Sequence, residues 1–79
     1  MLDASLIRAG RALAHISQAD LAKAAGLTKT AIANIETGGS DPRASTLIAL
    51  KAALESFGVE FVAGDGGGLS VRLRKGDGE

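Results

Sequence analysis

Several polar side chains with hydrogen-bonding capacity lie close together in the middle of the chain. Lys29 carries an ammonium donor, Thr30 a hydroxyl, and Asn34 an amide that both donates and accepts. Ile32 and Ile35 recur three residues apart and would form the apolar stripe of a helix. That stripe leaves four residues off the apolar face, where their side chains could contact an external ligand: Lys29, Thr30, Ala33 and Asn34.

Catalytic and metal-binding chemistry has little support in the chain. His15 is the single histidine and there is no cysteine, so neither a nucleophile–base pair nor a thiolate zinc site can be assembled. The glycine-rich run at residues 64–68 is not followed by the Gly-Lys-Ser/Thr of a phosphate-binding loop. We therefore expect that the protein is not an enzyme and binds no metal or cofactor. We interpret His15 as a partly exposed residue near the end of a helix.

Residues 17–38 predict the two short helices that position these polar side chains. Ser17 is a good N-cap, and Asp20 three residues later resembles a capping box. Gly26 supplies a left-handed helix end, and Thr28 is the next cap candidate. Two helices joined by a short turn with a central glycine are typical of a helix-turn-helix.

The chain resembles the Cro/λ-repressor-like (XRE-type) helix-turn-helix family of transcriptional regulators over residues 6–54. The resemblance rests on the following residues: Arg11, Ser17, Gln18, Leu21, Ala22, Gly26, Leu27, Thr28, Ile32, Ile35, Glu36 and Gly38. It implies a mainly α fold, a λ-repressor-like bundle of about four helices.

The resemblance also implies roles for individual residues. Base contacts are expected from Gln18, Lys29, Thr30, Ala33 and Asn34, and phosphate contacts from Ser17, Lys23, Thr28 and Arg43. Arg11 and Glu36 match a structural ion pair of the family. Simpler interpretations stay open: Ser17 and Thr28 as helix caps only, Lys23 as a solvated charge, and Arg11 and Glu36 as unrelated surface charges.

Two further helices complete the predicted bundle. The first runs from Asp3 or Ser5 to residue 14, with Leu6, Ala9, Gly10 and Leu13 on its buried stripe and Ile7 beside it. The last spans residues 45–57, with core positions at Leu47, Leu50 and Leu54 and a cap near Ser45 or Thr46.

After residue 58 the apolar period changes from 3.6 to 2, which predicts a C-terminal β-hairpin. We divide the chain into a helix-turn-helix domain (1–58), a hairpin (59–74) and a flexible tail (75–79). An isolated hairpin is marginal in water, so it must pack on the helices, pair with another chain, or both. Some small members of the family carry such a strand pair and use it for self-association, and we expect a homodimer interface formed by Val59, Phe61, Leu69, Val71 and Leu73. The strand edges could equally receive a different protein.

Nine basic and nine acidic residues cancel, whereas DNA-binding domains usually carry a basic surplus. With no apolar run near the ~20 residues of a membrane span, we expect a cytoplasmic, nucleoid-associated protein and no membrane partner. The predicted function is a repressor that binds an inverted-repeat operator in double-stranded DNA as a homodimer. The alternative is an antitoxin-like regulator that neutralises a toxin-like partner protein and represses its own operon.

Overall fold

The computed structural model describes residues 2–64, 66 and 68–74. Four helices precede one two-stranded antiparallel sheet: α1 (Ala4–Ala14), α2 (Gln18–Ala25), α3 (Lys29–Glu36), α4 (Ala44–Ser56), β1 (Val59–Ala63) and β2 (Leu69–Leu73). The predicted four-helix bundle with a C-terminal hairpin is confirmed. Among these residues no helix has the length and apolar character needed to span a bilayer.

Local hydrogen bonds explain where the first two helices begin and end. The Asp3 carboxylate caps α1 by accepting from the Leu6 N–H at 2.9 Å, and His15 ends the helix in the left-handed conformation. Ser17 and Asp20 form a reciprocal capping box at the start of α2, with both bonds at 3.0 Å. Gly26 closes α2 at φ 73°, a conformation that glycine adopts without strain.

The start of α4 differs from the prediction. The N-cap is Arg43, whose backbone is extended and whose side chain makes no capping hydrogen bond. Ser45 and Thr46 lie inside the first turn, since the helix begins at Ala44. The sequence predicted Phe57 as the last helical residue, but α4 ends at Ser56 and Phe57 is its C-cap.

The core lies where the helices and the first strand meet. Its fully buried side chains are Ile7, Leu21, Ile32, Leu50, Leu54 and Val59. On α1 the buried positions are Ile7 and Gly10, so the expected stripe is rotated, and Leu6, Ala9 and Leu13 are only half-buried. Gly10 permits this close packing, because a Cβ there would lie 3.2 Å from Cδ1 of Leu54.

The hairpin packs on the helices through one face. Its register pairs Val59 with Leu73, Phe61 with Val71 and Ala63 with Leu69. On the other face Arg72 donates to the Glu60 carboxylate at 2.9 Å. Asp65 and Gly67 of the predicted glycine-rich turn, and the predicted tail 75–79, lie outside the described residues.

Candidate nucleic-acid interface

Helix α3 buries one face and exposes the polar face that the sequence predicts. Ile32 is fully buried and Ile35 nearly so, which fixes the rotation of the helix about its axis. Lys29, Thr30 and Asn34 are exposed. Ala33, also predicted to contact bases, is half-buried beside them. The four residues therefore share one side of α3, where their side chains can reach an external ligand.

The two predicted phosphate-binding hydroxyls both cap helices. Thr28 Oγ1 accepts from the Ala31 N–H at 3.0 Å at the start of α3, and Ser17 does the same for Asp20 in α2. In each case the hydroxyl oxygen is the acceptor, so its own hydrogen remains able to donate to a further oxygen. A capping role and a phosphate contact are thus compatible in the same side chain.

Gln18, the first residue of α2, is tied to the far end of α3. Its Nε2 donates to Oε1 of Glu36 at 3.1 Å, and the side chain is half-buried. The amide has a second N–H and a carbonyl oxygen beyond this bond. Gln18 is therefore held by the protein while it retains groups for a nucleic-acid contact.

Arg11 and Glu36 form a two-pronged ion pair between α1 and the end of α3. Arg11 Nε donates to Oε2 at 2.6 Å and Nη2 to Oε1 at 2.9 Å. Glu36 is 3% exposed, whereas the Arg11 side chain is 23% exposed. This geometry excludes two independent surface charges.

The pKa of Glu36 reflects two opposing effects. Burial raises it, but hydrogen bonds from Arg11 and Gln18, together with the positive charges of Arg11 and Arg8, outweigh burial and lower it. The same pair raises the pKa of Arg11. The carboxylate is therefore ionised at neutral pH and acts as a fixed acceptor in the bundle.

Besides the bond from Gln18 to Glu36, two contacts of this cluster were absent from the sequence prediction. Arg8 donates to the backbone carbonyl of Glu36, and Arg11 Nη1 donates to the carbonyl of Ile16 at 3.2 Å. The spacing of Arg8 and Arg11, three residues apart on one helix, indicates that they share a face. No signal in the sequence identifies the carbonyls that they contact.

The loop after α3 brings a further basic residue near the exposed face. Arg43 and Asn34 both line an open depression of about 410 Å³ that Asp41 also borders. Lys23 lies elsewhere, beside Asp20 and Phe57 on the α2 side of the molecule. The structure thus groups Arg43 with the α3 face and leaves Lys23 apart from this depression.

The predicted dimer residues divide by exposure. Val59 is 1% exposed and belongs to the core, so its side chain is not available to a second chain. Phe61 and Val71 are half-buried against that core, and Leu69 is half-buried. Leu73 is 47% exposed. Among the residues described, no group of His, Asp or Glu side chains could hold a metal ion.

Comparisons with known proteins agree with this geometry. A helix-turn-helix family model matches residues 7–57. The DNA-binding domain of the P22 c2 repressor, determined in solution, is 36% identical with a TM-score of 0.65, covering 70% of this chain and 72% of that one. A crystal structure of the P22 c2 repressor with a synthetic operator gives 36% identity and a TM-score of 0.64, covering 70% of this chain and 83% of that one. No curated protein sequence matches. The chain belongs to the XRE-type helix-turn-helix family of Cro and λ-repressor-like regulators.

Proposed function

We propose that this protein is a transcriptional repressor that reads an inverted-repeat operator as a homodimer. One observation carries the proposal. The exposed face of α3 presents Lys29, Thr30 and Asn34 together, while Ile32 and Ile35 anchor the opposite face in the core. The similarity to the P22 c2 repressor, which was crystallised with operator DNA, supports DNA as the ligand.

Recognition would place α3 in the major groove with its first turn against the base edges. Lysine suits the O6 and N7 acceptors of guanine, and asparagine suits the N6 and N7 edge of adenine. Thr30 offers a hydroxyl and a methyl group, and Ala33 suits a thymine methyl. Base identity is therefore read at a few positions on one side of α3.

Phosphate contacts would fix the register of α3 in the groove. The Ser17 and Thr28 hydroxyls lie at the starts of α2 and α3, where backbone N–H groups also favour an anion. Gln18 and Arg43 add an amide and a guanidinium, and Lys23 is a more distant candidate. Because the chain has no net charge, these contacts give a modest electrostatic contribution to affinity.

A two-fold dimer would place two α3 helices on half-sites about 34 Å apart, one turn of DNA. Repression would follow from occlusion of a promoter in the cytoplasm. This proposal needs no enzymatic activity or cofactor.

Selection of bound sequences from a random duplex pool at low salt tests this proposal. We expect an enriched inverted repeat for the wild type. Lys29→Ala and Asn34→Ala each remove one base contact, worth about 1–3 kcal/mol, and should relax preference at one position per half-site. Lys51→Ala is the matched control, because Lys51 pairs with Glu55 on α4 at 3.5 Å.

Unchanged sequence preference in both variants would remove the base-reading assignment. No enrichment for the wild type would overturn the repressor proposal. Capture of a toxin-like partner encoded next to this chain would then favour the antitoxin-like alternative.

A further inference from the structure

A partly enclosed cavity of about 390 Å³ lies beside the loop that joins α3 to α4. The start of α1 forms one wall, the end of α3 a second and the start of α4 a third. Its volume falls within the range of about 300–1,000 Å³ that small-molecule sites occupy. None of the described residues assigned to DNA contact lines it. The cavity is therefore a feature that the proposed DNA recognition leaves unused.

Apolar side chains form most of the cavity wall. Leu2, Ile7 and Ile35 border the cavity and also belong to the buried core, and Leu47 packs against that core. Because a close-packed core moves little, these side chains give the cavity a preformed apolar floor. An apolar group that enters the cavity loses its contact with water, which favours binding.

Two carboxylates stand at the edge of this apolar wall. Asp3 and Asp41 are exposed, and no basic side chain accompanies them among the described lining residues. Asp3 Oδ1 accepts from the Leu6 N–H at 2.9 Å and from the Ser5 hydroxyl at 2.8 Å, and these bonds lower the pKa of Asp3. A carboxylate accepts more than two hydrogen bonds, so Asp3 can cap α1 and still accept from a bound molecule. The edge of the cavity is therefore negatively charged.

We propose that this cavity binds a small organic cation, an amine that carries one apolar body such as an aromatic ring. The apolar body lies on Leu2, Ile7 and Ile35, and the ammonium group faces Asp3 and Asp41. A neutral apolar molecule leaves both carboxylates without a counter-charge, and an anion is repelled by them. Charge complementarity therefore selects the cation.

The loop after α3 connects this site to the DNA-facing side of the protein. Residues 40–42 line the cavity and also the depression that holds Asn34 and Arg43. The charge of Asp41 in this loop opposes a phosphate at Arg43, and an ammonium group beside Asp41 offsets that charge. We expect the bound cation to tighten operator binding. This consequence, unlike the site itself, rests on the proposed function.

A series of probes separates the charge from the apolar contact. 2-Phenylethylamine carries a ring and a positive charge, 2-phenylethanol the ring alone, phenylacetate the ring and a negative charge, and ethylamine the positive charge alone. Two-dimensional NMR of methyl-labelled protein without DNA follows the side chains of the cavity floor: Leu2, Ile7, Ile35 and Leu47. We expect 2-phenylethylamine to shift these signals with a Kd of about 1 mM, ordinary for a ligand of about nine non-hydrogen atoms. The other probes should bind at least about fivefold more weakly.

Substitutions at the cavity locate the site. Ala4 lines the cavity, so Ala4→Leu places a larger side chain there and should abolish binding. Ala12→Leu is the matched control, because Ala12 is an exposed position of the same helix, and its Kd should be unchanged. Asp3→Asn keeps the α1 cap and Asp41→Asn changes only the loop. Each should weaken the binding of 2-phenylethylamine about threefold and leave that of 2-phenylethanol unchanged.

Three results would overturn the site. 2-Phenylethanol that binds as tightly as 2-phenylethylamine would exclude selection of a cation. Signal shifts that persist in Ala4→Leu would place the ligand outside the cavity. The absence of shifts at the floor residues with about 10 mM 2-phenylethylamine would exclude the predicted affinity.

Operator binding tests the coupling to DNA. 2-Phenylethylamine should tighten operator binding about fivefold in the wild type, and the operator should tighten amine binding by the same factor. Asp41→Asn should bind the operator more tightly than the wild type without ligand and gain less from the amine. An operator affinity that the amine leaves unchanged would overturn the coupling. A wild type that binds the amine and selects no DNA sequence would support the site and contradict the repressor, and operator selection without amine binding would do the reverse.

Discussion

Replacing Arg11 should destabilise the protein more than replacing its partner Glu36. Arg11→Met keeps the apolar part of the side chain and removes the charge, which leaves a carboxylate 3% exposed with Gln18 as its remaining side-chain donor. Breaking a buried ion pair in this way costs about 3–5 kcal/mol. Glu36→Gln keeps an acceptor oxygen beside Arg11, whose 23% exposed side chain also contacts the Ile16 carbonyl. We expect that variant to lose about 1–3 kcal/mol.

Urea denaturation followed by far-UV circular dichroism at pH 7 measures both losses. A double variant, Arg11→Met with Glu36→Leu, should be more stable than Arg11→Met alone, because no unpaired carboxylate stays in the core. Gly39→Ala, at an exposed loop position, is the control for a small substitution made away from the ion pair. Losses below about 0.5 kcal/mol for both single variants would refute the argument, since that is the range of surface pairs.

The pH dependence gives a sharper test of the same contact. The folded pKa of Glu36 lies below its ordinary value of 4.5, since the hydrogen bonds and nearby charges outweigh burial. The carboxylate therefore contributes stability above pH 4.5, and this contribution is lost as the pH falls through the folded pKa. Without Arg11, burial is opposed only by the Gln18 hydrogen bond and the Arg8 charge, so the pKa of Glu36 rises relative to the wild type and its protonation costs the variant less stability.

The stability difference between the wild type and Arg11→Met should consequently shrink as the pH falls from 7 to 3. The pKa values of Asp3 and Asp20 are also lowered, by bonds within their helix caps. Both caps are present in both proteins, so their effects cancel in the difference. A difference that stays constant over this range would show that the cost of Arg11→Met does not come from the Glu36 charge.

Two further substitutions probe packing and capping. Gly10→Ala should destabilise the protein by about 1 kcal/mol despite the higher helix propensity of alanine, because its Cβ would lie 3.2 Å from a side-chain carbon of buried Leu54. Thermal denaturation measures this loss, and Ala12→Gly is the control for helix propensity. A Gly10→Ala variant more stable than the wild type would contradict the prediction. Thr28→Ala should cost about 1 kcal/mol by loss of the α3 cap and should also weaken operator binding. Thr28→Ser should restore both, whereas binding that is unchanged in Thr28→Ala would assign Thr28 to capping alone.

The helix-turn-helix was predictable because its boundaries are encoded locally. Ser17 and Asp20 cap each other three residues apart, and Gly26 adopts the left-handed conformation at the position the pattern requires. The start of α4 was mispredicted for the converse reason. Arg43 caps that helix through backbone conformation alone, and no side-chain signal marks it.

Contacts between distant segments were harder to predict. The bond from Gln18 to Glu36 joins residues 18 positions apart, and neither helical periodicity nor capping rules specify it. In β1 both faces carry apolar side chains, Val59 and Phe61 on one and Val62 on the other. The alternation of apolar residues alone therefore could not decide whether Val59 packs in the core of its own chain or in an interface with a second chain.

Glu36 links the packing of the helices to the proposed recognition of DNA by α3. It is the last residue of α3, and it receives Arg11 and Arg8 from α1 and Gln18 from α2. The far end of α3 is thus fixed by both neighbouring helices, while Lys29 and Thr30 at its start stay exposed. A chain without net charge gains little from long-range attraction to DNA. In the proposed DNA complex the bond to Glu36 holds the Gln18 amide before binding, so little conformational entropy of that side chain is lost on contact.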